Sequence, residues 1–277
     1  MFLGAHESIS GGIYKAFERG AADGCECIQV FVKNSNRWVA KPLSDKDIKK
    51  YFELHDKYSL PVCCHSSYLI NMASIKPDIK EKSYLSMVDE LKRCDQLNIK
   101  YYVIHPGSHL GVGEDEGLKL VAQMIDKAYD ENGFEASILL EITAGQGTNL
   151  GYKLEHFEKI FNMSKYSHKL NICLDSCHMY SAGFDIVNQY DKVFDELFAK
   201  FGDKIKVFHL NDSKKDFSSK LDRHELLGKG TIGIDFFKRV VNDRRFENVL
   251  GILETPVKEG ETYKGEIEIL KSLRGDI

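Results

Sequence analysis

Eight short apolar runs punctuate the chain, and between them lie longer stretches in which apolar positions recur at helical spacing. The runs are Phe2–His6, Cys27–Val32, Pro61–His65, Tyr101–His105, Ser137–Thr143, Asn171–Asp175, Ile205–Leu210 and Val249–Glu254. They are nearly continuous in apolar character rather than alternating, the pattern of parallel strands covered on both faces. Ser44 is placed to cap a helix in which Ile48, Tyr51, Phe52 and His55 recur at helical spacing. Longer helices are predicted over Ile79–Leu97 and Leu118–Tyr129, the second stopped by Gly133. Eight strands, each followed by a helix and with no low-complexity linker, predict an α/β fold. The expectation is a single (β/α)8 barrel domain spanning residues 1–277.

What stands where the runs stop turns architecture into chemistry. The third run ends in His65, the fourth in His105, and the fifth carries Glu141 at its C-terminal end. Asp175 and His178 follow the sixth, His209 ends the seventh and Glu254 the eighth, with Asp222-Arg223-His224 between the last two. Barrel enzymes gather their chemistry at the C-terminal ends of the strands, so these scattered residues should converge. Imidazole with carboxylate is a zinc-type ligand set, and the wealth of histidine argues against an all-oxygen magnesium site. One strand-end histidine is commonly just hydrogen-bonded, and one carboxylate can simply cap the next helix. Six consecutive strands needing six separate reasons of that kind favour a metal centre instead.

Other positions weigh less. His55, His156 and His168 fall in helical or connecting segments and read as packing or solvated residues. His6 and His109 lie near the catalytic face, where a role in orienting a ligand is open. Gly228-Lys229-Gly230-Thr231-Ile232-Gly233 fits a dinucleotide glycine pattern. It follows the polar stretch Asp222–Leu227 rather than a strand, so it does not support NAD.

Composition narrows the class. With 43% hydrophobic and 29% charged residues, the 277-residue chain reads as a soluble enzyme with a substantial core. Its apolar stretches are far too short to span a bilayer, and no secretory signal is expected. Seven cysteines without a CxxC pair, Cys27, Cys63 and Cys64 among them, point to buried thiols in a reducing cytoplasm. A net charge of −4 does not advertise a nucleic-acid binder. A DNA-directed function must find its positive charge locally, and a cluster of divalent metals supplies it.

Taken together, the motifs resemble the endonuclease IV family of abasic-site endonucleases. The matching segments include Gly4-Ala5-His6, Phe31–Trp38, His65–Asn71, His105–His109, Leu140–Gly147 and Leu174–His178. His209–Ser213, Asp222–Glu225, Gly228–Gly230 and Leu253–Pro256 continue the match in order along nearly the whole chain. The resemblance implies three zinc ions: one held by His65, His105 and Glu141, with Glu141 bridging to a second completed by Asp175, His209 and Glu254. His178, Asp222 and His224 would hold the third, as zinc or manganese. It implies a monomer that incises damaged double-stranded DNA 5′ to an abasic site, with Glu141 and Glu254 catalytic, and that also trims blocked 3′ ends. Tyr68 and Leu69 match a wedge inserted at the lesion, and the loop carrying Asn36 and Arg37 matches a second DNA contact. There the chain departs from the family, which often has arginine at the position of Asn36; either Arg37 reaches the same place or that contact is weaker. Two rivals remain at this level: a metal-dependent sugar isomerase or epimerase on the same barrel, and a non-catalytic DNA-binding protein.

Overall fold

The expected runs become strands because each is buried on both of its faces. A computed structural model describes residues 1–258 and 260–275. In chain order the barrel strands are β1 (Phe2–His6), β2 (Cys27–Val30), β3 (Val62–His65), β4 (Tyr101–Ile104), β5 (Ser137–Glu141), β6 (Leu170–Asp175) and β7 (Ile205–His209). A two-residue ribbon, β8 (Asp212–Ser213) with β9 (His224–Glu225), intervenes before the last barrel strand, β10 (Leu250–Leu253). Every barrel pair is parallel, and the sheet closes in the order β1-β10-β7-β6-β5-β4-β3-β2. The (β/α)8 barrel expected from the sequence is the fold observed.

The outer layer comprises α1 (Lys15–Asp23), α2 (Asp45–Tyr58), α3 (Pro77–Gln96), α4 (Glu114–Asn132), α5 (Leu154–Met163), α6 (Ser176–Ala182), α7 (Tyr190–Phe201), α8 (Ile234–Asn242) and α9 (Lys264–Ser272). Ser44 caps α2 as expected, accepting the Asp47 N–H at 3.1 Å. Gly133 ends α4 in the left-handed region at φ 64°, where a side chain would be strained. This helix begins one turn before its apolar pattern does, at Glu114, Asp115 and Glu116, whose charges suit a helix N-terminus. The strict strand–helix alternation fails at two places. Two helices follow β6, and the ribbon is inserted between β7 and α8. No described helix is long and apolar enough to cross a membrane.

The barrel interior is filled by apolar side chains, Cys27, Cys63, Val103, Leu139, Cys173 and Val207 with Leu250 and Ile252. At β1 the wall comes so close to β2 that a Cβ on Gly4 would lie 1.9 Å from the Cys27 carbonyl oxygen. All seven cysteines are free and buried. A register shift at Ile172/Cys173 brings Asp175 level with His209 on the neighbouring strand. Such an irregularity re-aims a side chain at a barrel rim.

Candidate metal centre

The strand ends converge on a cleft of about 310 Å³ at the C-terminal face of the barrel. Glu141, fully buried at the end of β5, stands at its heart. Its Oε2 lies 3.1 Å from His65 Nε2 and 3.2 Å from His105 Nε2. Its Oε1 lies 3.1 Å from His178 Nδ1 and 3.2 Å from His209 Nδ1. Burial opposes ionisation of this carboxyl, but the imidazoles of His105 and His209 prevail and hold it well below the usual range.

Asp175 ends β6 and does two things at once. Its Oδ1 caps α6 by accepting the His178 N–H at 2.7 Å, while Oδ2 lies 3.8 Å from His209 Nδ1 and 3.7 Å from His224 Nε2. Glu254, just past β10, brings Oε2 to 3.2 Å from His209 Nδ1. On the ribbon side, Asp222 lies 3.1 Å from His178 Nε2 and 3.3 Å from His224 Nε2. Burial disfavours its charge too, yet His178 holds Asp222 below its ordinary range. The structure therefore brings all nine expected ligand residues to one place. In two of the expected trios, His65–His105–Glu141 and His178–Asp222–His224, all three ligand atoms lie within 4.8 Å of one another.

The ring nitrogens test whether this set fits a cation. His65 Nδ1 lies 2.8 Å from the Ser66 carbonyl, His178 Nδ1 2.9 Å from that of Ile142, and His224 Nδ1 3.2 Å from that of Glu254. A carbonyl only accepts, so each Nδ1 donates its N–H and each Nε2 is left facing a carboxylate. His209 is turned the other way, with Nε2 donating to Gln29 Oε1 at 2.9 Å and Nδ1 facing the carboxylates. His224 Nε2 is buried without a hydrogen-bond partner. Lone pairs aimed at carboxylates need a positive charge between them. In a metal-free protein protons play that part. Against the cost of burial, Asp175 and Asp222 push His178 well above its ordinary value, and Glu254 and Glu141 push His209 up to about 9. The donor set fits zinc-type ions that displace those protons.

Residues outside the ligand set hold it in place. Gln29 on β2 is fully buried and donates from Nε2 to Glu254 Oε1 at 2.6 Å. Asn211 donates to Asp175 Oδ2 at 2.7 Å and accepts the Glu254 N–H at 2.9 Å. His6, left open above, puts Nδ1 3.3 Å from Glu254 Oε1 and lines the cleft. His109 Nδ1 accepts from Gly111 and Gly113 within its own loop. Gln29 and Asn211 are not among the residues the sequence points to, although an amide inside the apolar run Cys27–Val32 was the available signal.

Tyr68 stands 67% exposed at the mouth of the cleft, edge-on to Phe31 at 5.4 Å, with Leu69 half-buried beside it. Asn36 and Arg37 are exposed on the loop after β2. One buried carboxylate secures both loops: Glu90 accepts the Ser67 N–H at 3.2 Å and lies 3.2 Å from Lys33 Nζ. The glycine-rich segment is closed around the protein's own anion. Asp212 accepts the backbone N–H groups of Ser213, Gly228, Gly230, Ile232 and Gly233 at 2.7–3.4 Å. No room is left for a phosphate there, since a Cβ on Gly230 would already lie 2.5 Å from Asp212 Oδ1.

A family model described as xylose isomerase-like TIM barrel matches residues 17–273. A probable endonuclease 4 of Chloroflexus aggregans is 46% identical over 262 residues, covering 93% of this chain and 92% of that one. The chain belongs to the endonuclease IV family. The crystal structure of endonuclease IV from Thermus thermophilus superposes with a TM-score of 0.88 at 32% identity, covering 99% and 98% of the two chains. A D-tagatose 3-epimerase-like protein also superposes, with a TM-score of 0.72 over 99% and 97% of the chains, but at 20% identity it shares the fold alone. The endonuclease IV relationship, unlike the epimerase likeness, rests on sequence as well as on the barrel.

Proposed function

We propose that this chain is a DNA-repair endonuclease that hydrolyses the phosphodiester 5′ to abasic sites, leaving a 3′-hydroxyl and a 5′-deoxyribose phosphate. Trimming of blocked 3′ ends is a secondary activity. The observation that carries this reading is the convergence of nine His, Asp and Glu side chains at the barrel rim of an endonuclease IV-family chain. In this reading His65, His105 and Glu141 would hold one zinc ion, and Asp175, His209 and Glu254 a second, with Glu141 placed to serve both. His178, Asp222 and His224 would hold the third, zinc or manganese. When bound, the ions supply Lewis acidity, charge neutralisation at phosphate and water acidic enough to ionise near neutral pH.

The chain's own residues do the rest. Glu141 and Glu254 orient the reacting groups from fixed strand ends. Tyr68 and Leu69 fill the gap left by the missing base, and the loop of Asn36 and Arg37 contacts the flanking backbone. Selectivity follows from the low cost of extruding a nucleotide with no base to unpair or unstack. The protein acts as a single-domain monomer in the cytoplasm.

Elemental analysis together with incision of a duplex bearing one synthetic abasic site, before and after chelation, tests this reading. About three zinc-type ions per chain and chelator-sensitive cutting 5′ to the lesion are expected. One or two metals with intact DNA would reject it.

A further inference from the structure

Three histidines of the cleft, His65, His178 and His224, have the outer ring nitrogen tied to a backbone carbonyl, which no substitution removes. His209 is tied to a side chain instead, Gln29 Oε1. The orientation of that amide is dictated by its neighbours. A carboxylate only accepts, so the NH2 group faces Glu254 Oε1 at 2.6 Å and the oxygen receives the His209 Nε2–H at 2.9 Å. The second amide N–H points to His6 Nδ1 at 3.0 Å, and the Cys63 thiol approaches the oxygen at 3.6 Å. One fully buried side chain on β2 therefore joins a residue of β7 to one just past β10.

We propose that Gln29 is a positioning residue that fixes His209 and Glu254 as a unit, so that the ion assigned to Asp175, His209 and Glu254 depends on it while the other two do not. The proposal rests on the three-metal reading above. Without the Gln29 oxygen, the nearest group to His209 Nε2 is the Cys173 thiol at 3.5 Å, a weak acceptor. The ring is then free to carry its proton on Nδ1, which removes the lone pair from the cleft. Glu254 loses its shortest hydrogen bond at the same time. Loss of such an outer partner typically weakens metal binding by about 10–100-fold.

Gln29→Met keeps the shape and removes both hydrogen bonds; Gln29→Asn keeps both groups on a side chain one methylene too short to reach. Zinc affinity is read site by site by competition with a chromophoric chelator, and steady-state incision is measured alongside. For either variant we expect one of three ions to bind about 10–100-fold more weakly and the other two to be unchanged. The kcat should fall, while KM for the abasic duplex stays within about two-fold. If Gln29→Met does not fold, Gln29→Asn decides. A folded variant that holds all three zinc ions as tightly as the parent overturns the proposal. A parent chain that binds no zinc at all overturns the metal reading instead, and the two failures are thereby distinct.

Discussion

Six of the nine proposed ligand residues mark two regions of unlike construction; His178 is buried on α6, and His105 and Glu254 lie just past β4 and β10 with 36% and 17% of their side chains exposed. His65, Glu141, Asp175 and His209 sit on barrel strand ends and are at most 5% exposed. Asp222 and His224 sit on the excursion between β7 and β10, where their side chains are 43% and 19% exposed. A strand end inherits its position from a ladder of hydrogen bonds on both sides, so its side chain arrives where it is needed without local help. A residue on an excursion has to be held by special devices. Here these are the two-residue ribbon and the bond from His224 Nδ1 to the Glu254 carbonyl. Local stability is lower where contacts are fewer, so the His178–Asp222–His224 ion should be the first to leave and the easiest to replace.

The sharpest way to break that contrast is at its rigid pole. Glu141→Gln removes a charge shared by four imidazoles, and incision of abasic duplex should drop by about a thousand-fold or more with the barrel's circular dichroism intact. Full activity in a properly metallated variant sinks the role given to Glu141. Next comes the soft pole. Asp222→Asn should lower kcat by about 100-fold and lower metal content from about three ions to about two, since the strand-end sites are built independently. Loss of all three ions on that single change would show that the two regions are not separable. Tyr68→Ala touches neither pole; binding to an abasic duplex should weaken by about ten-fold, the scale of one aromatic contact in nucleic-acid stacking. Unchanged affinity removes the wedge.

The smallest effect concerns the barrel alone. Burial, helped by the charge of Asp23, raises Glu7 from an ordinary 4.5 to about 7. A carboxyl raised on folding contributes stability in full below pH 4.5, and that contribution is lost as pH rises through 7. A shift of this size corresponds to at most about 3 kcal/mol, and about 1–2 kcal/mol is the working expectation after screening. Denaturant melts of metal-free protein at pH 5 and pH 8 should show Glu7→Gln gaining that much on the parent between the two. A constant difference between the two chains at both pH values contradicts the buried-carboxyl account.

The rigid pole was the legible one. Burial on both faces writes each strand as an apolar run, and His65, Glu141 or Asp175 at its end stands out because nothing apolar requires it. The ribbon left no such trace. Two residues per strand carry no periodicity, and Asp222-Arg223-His224 looked like any polar connection until its chemistry was considered. Gln29 was illegible for a different reason. The amide could be seen in its run, but its partners lie 180 and 225 residues away and meet it only when the barrel closes. The glycine pattern lacks the preceding strand that a nucleotide loop needs, and the anion it does embrace, Asp212, sits upstream of the motif and could not be read from it.

That embrace has a mechanical consequence. The excursion leaves and returns at one knot, where Asp212 and Ser213 pair with His224 and Glu225 while Asp212 gathers the amides beyond. Between the strands of the ribbon, Lys215, Asp216 and Phe217 lie exposed at the protein's surface. A protease that clipped there would cut an already tied noose. The two new ends would stay fastened by the knot, and Asp222 and His224 would keep their station above an unbroken barrel.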